Sequence, residues 1–175
     1  MPARKSASGK RPLPAQSAPA QPLSASERDH LDSLQQHCQR RGAQLTPLRL
    51  DVLTQLLQRP GGMKAYDLLA AMQARKPGIA PMSIYRTLDF LVEHELVHKV
   101  DATSTFVICE HGHHDHHDHG FPIMLICEHC GQATECKDAE TIAALSGTLG
   151  RFHAQQGFQA HGMEIKGRCR HCSAS

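Results

Sequence analysis

The sequence predicts an α+β chain in two parts: a helical first part closed by a short β-hairpin, and a small α/β second part built around metal ligands. Three observations carry this. Apolar residues recur at helical spacing over residues 31–92. Two short runs rich in Val, Ile and Thr follow at 96–100 and 105–109. Two CxxC pairs, Cys127/Cys130 and Cys169/Cys172, then bracket the last third of the chain.

Composition sets the limits. At 175 residues and 40% hydrophobic content the chain can build one ordinary domain or two small ones. It has no apolar run of about eighteen residues, and no hydrophobic segment follows the basic residues at the N-terminus, so a cytoplasmic protein with no membrane partner is expected. Charge is split along the chain. Residues 1–103 hold 14 Lys and Arg against 9 Asp and Glu, a net of +5, whereas residues 104–175 hold 5 against 8, a net of −3. Of the 14 histidines, 4 lie in the basic part and 10 in the acidic part. A basic half suits phosphate contacts and a His-rich acidic half suits cations, which predicts two domains with separate tasks.

Residues 1–23, rich in Pro, Ala, Ser, Lys and Arg, have little to bury and are expected to be a disordered basic tail. Ser24 with Glu27 three residues on forms a capping-box signature for a first helix running to about Arg41 and stopping at Gly42. Leu31, Leu34 and Cys38 share its apolar face, so Cys38 reads as a core thiol. Thr46 and Pro47 open a second helix with Leu50, Val52, Leu53, Leu56 and Leu57 inward, ended by Arg59-Pro60-Gly61-Gly62. A third helix spans 64–75. A fourth follows Pro81, with Ile84, Leu88, Leu91 and Val92 on one face. Helices followed by a hairpin make a winged helix-turn-helix over residues 24–103. Residues 104–175 then form a metal-binding domain, with strands at 121–126, 132–136 and 158–166 and a helix capped by Asp138.

In a winged helix-turn-helix the last helix enters the major groove with its N-terminal residues foremost, which points Ser83, Tyr85 and Arg86 at double-stranded DNA. Arg49, Lys64 and Tyr66, at the starts of the second and third helices, are candidates for backbone phosphates.

Seven cysteines is an odd count, and two CxxC pairs far apart in sequence favour metal ligation over redox disulfides in a reducing compartment. Cys127, Cys130, Cys169 and Cys172 can fill a tetrahedral zinc shell, and a full shell leaves no position for substrate, so this zinc is structural. Six further histidines crowd the stretch 111–119, behind a lone Cys109. They read either as a solvated loop that captures zinc weakly or as ligands to a further ion. A second part of about 70 residues is marginal alone, so metal clamping and pairing with a second copy are both physically motivated.

LTPLRLDVL, AYDLL, PMSIYRTLDFLVEHELVHKV, the His-rich stretch, CEHC and CRHC together resemble the ferric uptake regulator family over residues 26–172. VHKV, a following lone cysteine and the CxxC pairs are most similar to its zinc-sensing, zinc uptake regulator branch. The resemblance implies a homodimer formed through the second part and about two zinc ions per chain, one structural and one regulatory. It implies that the regulatory zinc is held by His98, Cys109, a histidine of the loop and Glu135. The loop is longer than the family pattern, so the third ligand stays open between His119, preferred, and His117. A thiolate in this set favours zinc over iron.

His98 falls in the DNA-binding part and Glu135 in the other, so one ion held by both would fix the spacing of two recognition helices in a dimer. The expected function is a zinc-responsive repressor that binds operator DNA when zinc is replete. The alternative is a family member sensing iron, manganese or peroxide; a zinc chaperone or store is more remote, since it needs no basic winged-helix half. HxE followed by PCxxC does not occur, and the one HExxH match, His94 to His98, runs from the end of the fourth helix into the strand run at 96–100 rather than along one helix face, so no enzyme and no small-molecule substrate are expected.

Overall fold

A computed structural model describes residues 22–110, 121–157 and 160–173. Residues 1–21 of the expected basic tail, all six histidines of the 111–119 stretch (His119 and His117 among them), and Phe158 and Gln159 of the expected last strand lie outside the described residues.

Helix α1 (Ala25–Arg40) starts where the capping signature places it. Ser24 Oγ accepts the Glu27 N–H at 3.3 Å and Glu27 Oε2 accepts the Ser24 N–H at 2.7 Å, so two otherwise orphaned donors are satisfied. Cys38 is fully buried among leucines, as a core thiol should be. Helix α2 (Pro47–Leu57), capped by Thr46, buries Val52, Leu53, Leu56 and Leu57, while Leu50 is only half-buried. Helix α3 (Ala65–Arg75) and helix α4 (Pro81–Glu93) complete the bundle. From α4 Ile84, Leu88 and Leu91 are fully buried, each contributing about 1.5–3 kcal/mol by removal from water. Val92 sits half-buried at the edge.

Strands β2 (Val97–Val100) and β3 (Thr105–Ile108) form the expected hairpin, paired from Val97 with Ile108 to Val100 with Thr105. A third strand, β1 (Met63–Lys64), pairs with the other edge of β3 and gives the sheet order β1-β3-β2. Two residues carry no periodicity, so β1 exists only through its partner. Gly62 allows it: its φ is +78°, and a Cβ there would meet Phe106 O and Thr105 Cγ2 at 2.6 Å.

The second part is a three-stranded sheet with order β5-β4-β6, from β4 (Ile123–Cys127), β5 (Ala133–Glu135) and β6 (Met163–Gly167). β4 and β6 are parallel, from Ile123 with Met163 to Cys127 with Gly167, and the crossover this requires contains α5 (Ala139–Gln156). Asp138 Oδ2 caps α5 by accepting the Thr141 N–H at 2.8 Å. The strand expected over 158–166 begins only at Met163, and a short helix, α6 (Arg170–Ser173), follows it.

Every residue of β3 is buried, where a solvated wing would alternate. Phe106 and Ile108 join the helical core, while Val107, with Val100, packs against Met124, Ile126 and Ala133 of the second sheet. The hairpin is therefore a wall between two cores rather than a projection into solvent. This moves the break between sheets to beyond Ile108, so the expected boundary between residues 103 and 104 falls inside a hairpin. Among the described residues no helix is long and apolar enough to cross a membrane.

Candidate metal centres and nucleic-acid face

Among the described residues, two clusters of ligand-type side chains emerge from this packing. The first joins the ends of parallel neighbours. Cys127 closes β4, Cys130 lies in the turn after it, and Cys169 and Cys172 follow β6, so all four thiols meet with their sulfurs within 4.8 Å of one another. The Cys169 N–H donates to Cys127 Sγ at 3.3 Å, and Cys130 Sγ and Cys169 Sγ are 3.9 Å apart. An ion bonded to sulfur at about 2.3 Å in a tetrahedron sets its ligands roughly 3.8 Å apart, so the spacing fits zinc. The thiols are electrostatically unequal. The backbone N–H of Cys130, then that of Cys169, holds the Cys127 thiol down to about 6. Burial raises Cys130 above the usual thiol range, and Cys172 is pushed up to about 12, chiefly by its hydrogen bond with Cys169.

The second cluster follows from strand alternation. His98 and Val100 share one face of β2, and Val107 and Cys109 share the continuing face of β3. On β5, Ala133 and Glu135 share a face too. Val100, Val107 and Ala133 make the apolar contact between the sheets, and beside it His98, Cys109 and Glu135 bring their ligand atoms within 4.8 Å of one another. His98 Nε2 is 3.2 Å from Glu135 Oε1, and Glu135 Oε2 accepts the Glu110 N–H at 2.9 Å. The Glu135 side chain is only 1% exposed, so its carboxylate is held by specific partners rather than by water. One imidazole, one thiol and one carboxylate are a donor set suited to zinc, and a fourth ligand would have to come from outside these three.

The face expected to meet DNA is open. On α4, Tyr85 and Arg86 are exposed and Ser83 half-exposed, opposite buried Ile84, Thr87 and Leu88. Met82, 61% exposed one turn before Arg86, shares that face; its spacing with Tyr85 and Arg86 was the available signal, and it was missed. Tyr66 is exposed near the start of α3, with Lys64 Nζ 5.9 Å from its ring centroid. Arg49 is more committed. Its guanidinium donates to Gln44 O at 2.6 Å and stacks 3.3 Å from the Phe90 ring centroid, tying α2 to α4.

A further contact at the second cluster carries no sequence signature. His30 Nε2, on α1, lies 2.7 Å from the Cys109 backbone oxygen.

Comparison with known proteins bears on the same residues. The model of the Ferric uptake regulator family matches residues 40–166. The zinc uptake regulation protein of Escherichia coli (strain K12) is 36% identical over 137 residues, covering 77% of this chain and 76% of that protein. The chain belongs to the ferric uptake regulator family. Among solved members, a zinc uptake regulator complexed with zinc and DNA aligns over 86% of this chain and 97% of its own, with 29% identity and a TM-score of 0.74. The holo form of the regulator XcZur aligns over 84% of this chain and 99% of its own, with 30% identity and a TM-score of 0.65. The fold expected from sequence, a winged helix-turn-helix followed by a small α/β domain, is thus a family fold.

Proposed function

We propose that this chain is a zinc-responsive transcriptional repressor of zinc uptake genes, with zinc as co-repressor. The observation that carries it is the meeting of His98, Cys109 and Glu135 across the junction of the two sheets. His98 belongs to the sheet built on the helical core and Glu135 to the sheet of the second part, so a shared ion would cross-link them. Similarity to zinc uptake regulators, one of them complexed with zinc and DNA, supports the choice of ion and partner.

In this reading Cys127, Cys130, Cys169 and Cys172 hold a closed structural zinc, and His98, Cys109 and Glu135 with a loop histidine, His119 or His117, hold the regulatory one. Zinc held by these residues would supply a rigid cross-link between the two sheets, with no redox or hydrolytic chemistry. His98 and Glu135, once held together, fix the orientation of α4 relative to the second part. In a homodimer formed through that part, the two α4 helices then keep one separation suited to successive major grooves. Arg86 and Tyr85, with Ser83 beside them, read bases or phosphates, and Lys64, Tyr66 and Arg49 add backbone contacts. The protein acts in the cytoplasm as a regulator, not an enzyme.

Operator titrations metal by metal, under reducing conditions, test the reading. Zinc should tighten operator binding about 5- to 150-fold, a coupling of about 1–3 kcal/mol. Equal tightening by iron or manganese at matched free concentration would replace zinc as the signal.

A further inference from the structure

We infer that His30 is a positioning residue for the regulatory ion, holding the Cys109 peptide so that its sulfur stays on target. This rests on the reading of Cys109 as a ligand. β3 ends at Ile108, so the Cys109 carbonyl lies beyond the ladder that satisfies its predecessors. Its N–H is held by Leu96 O at 3.0 Å, and its C=O accepts from His30 Nε2 at 2.7 Å. The next N–H, of Glu110, is held by Glu135 at 2.9 Å. The peptide carrying the thiol is thus fastened from three directions: the start of the hairpin, β5, and α1.

The α1 contact is separable from folding. Leu34 and Cys38 already anchor α1 with 0% exposure, and the Ser24–Glu27 capping box closes its N-terminus. A half-buried histidine therefore adds little that the helix needs, but it restrains a carbonyl oxygen two bonds from the Cα that bears the ligand side chain. Releasing it lets the Cys109 peptide rotate and spreads the sulfur over positions that no longer converge with His98 and Glu135. Outer-shell partners of metal ligands act in this way, and their loss typically weakens metal binding 10- to 100-fold. α1 also becomes a third element fastened to the site, beside β2 and β5.

The test uses full-length protein with the four-cysteine site loaded with zinc. Cobalt(II) is then added to report the second site by its thiolate-to-metal charge-transfer band, and zinc affinity is measured by chelator competition. His30→Ala should weaken zinc at this site about tenfold with the four-cysteine zinc retained, and His30→Gln, which keeps a donor of similar reach, should stay within about twofold of wild type. A folded His30→Ala protein within about twofold of wild type, or a folded His30→Gln protein as weak as alanine, overturns the inference. Should His30→Ala not fold, His30→Gln decides alone: retained affinity supports the donor role and lost affinity refutes it. Cys109→Ser is the separate control. Persistence of the charge-transfer band there would remove Cys109 from the site, a different failure from an unchanged His30→Ala.

Discussion

Replacing Cys169 and Cys172 together with serine removes both thiols that follow β6 from the four-thiol cluster and, with them, the tie between the ends of β4 and β6. Cys130 and Cys169 are 39 residues apart in sequence, and closing a loop of that length in the unfolded chain corresponds to about 4 kcal/mol on the chain-entropy scale. The second part has little to set against this. Its own core is Ile123, Cys136 and Ile142, with a second patch shared across the junction with Val100 and Val107. A unit of about 70 residues is typically stable by roughly 4–10 kcal/mol, so the tie accounts for a large share. Native-state hydrogen exchange on full-length protein resolves the outcome. Amides of β4 and β6 should lose about 4 kcal/mol of protection in the Cys169→Ser, Cys172→Ser double variant, or in wild type stripped by a chelator, while amides of α2 and α4 keep theirs. Protection of β4 and β6 within about 1 kcal/mol of the zinc-loaded protein would show that the cluster is not a structural clamp.

Gly62→Ala should destabilise the first part by about 1–3 kcal/mol, seen as a lower melting temperature, because it combines positive φ with Cβ contacts to β3 below 3 Å. Arg86→Ala should cost about 1–3 kcal/mol in operator binding and relax preference at one base pair, whereas Lys64→Ala should weaken all sequences alike and reduce the salt slope by about one. Zinc uptake by the four-cysteine site should release protons and tighten as pH rises. Cys130 and Cys172, held above the usual thiol range, carry protons at neutral pH that zinc must displace, and Cys127, titrating near 6, adds another only below that pH. Calorimetry in buffers of different ionisation enthalpy counts these protons, and affinity that rises on acidification would contradict the assignment. Operator DNA should tighten regulatory zinc by the same factor as zinc tightens operator, since binding couplings are reciprocal.

Much of the fold was legible because its signals are local. The capping box at Ser24, the Thr46-Pro47 start of α2 and the apolar spacing of α4 each depend on residues within two turns of one another. The CxxC pairs were legible because each turn presets two sulfurs, although only the parallel pairing of β4 with β6 brings the pairs together. What escaped is non-local. β1 is two residues that exist because β3 lies beside them. The burial of all of β3 reflects packing on both faces of its sheet, which a strand pattern read alone cannot distinguish from a single buried face. His98, Cys109 and Glu135 were named through family resemblance, but alternation along β2, β3 and β5 accounts for their convergence once the strands are paired. The His30 contact joins residues 79 apart and left no mark in either neighbourhood.

Zinc-dependent operator binding by full-length Cys109→Ser protein tests the coupling most directly. Free zinc is buffered, and the anisotropy of a labelled promoter fragment that wild type binds is followed. Wild type should bind about 5- to 150-fold tighter with zinc than without, and the variant, still carrying zinc in its four-cysteine site, should bind weakly at every zinc concentration. Full zinc-dependent tightening in Cys109→Ser would mean that the signal does not pass through the junction of His98, Cys109 and Glu135.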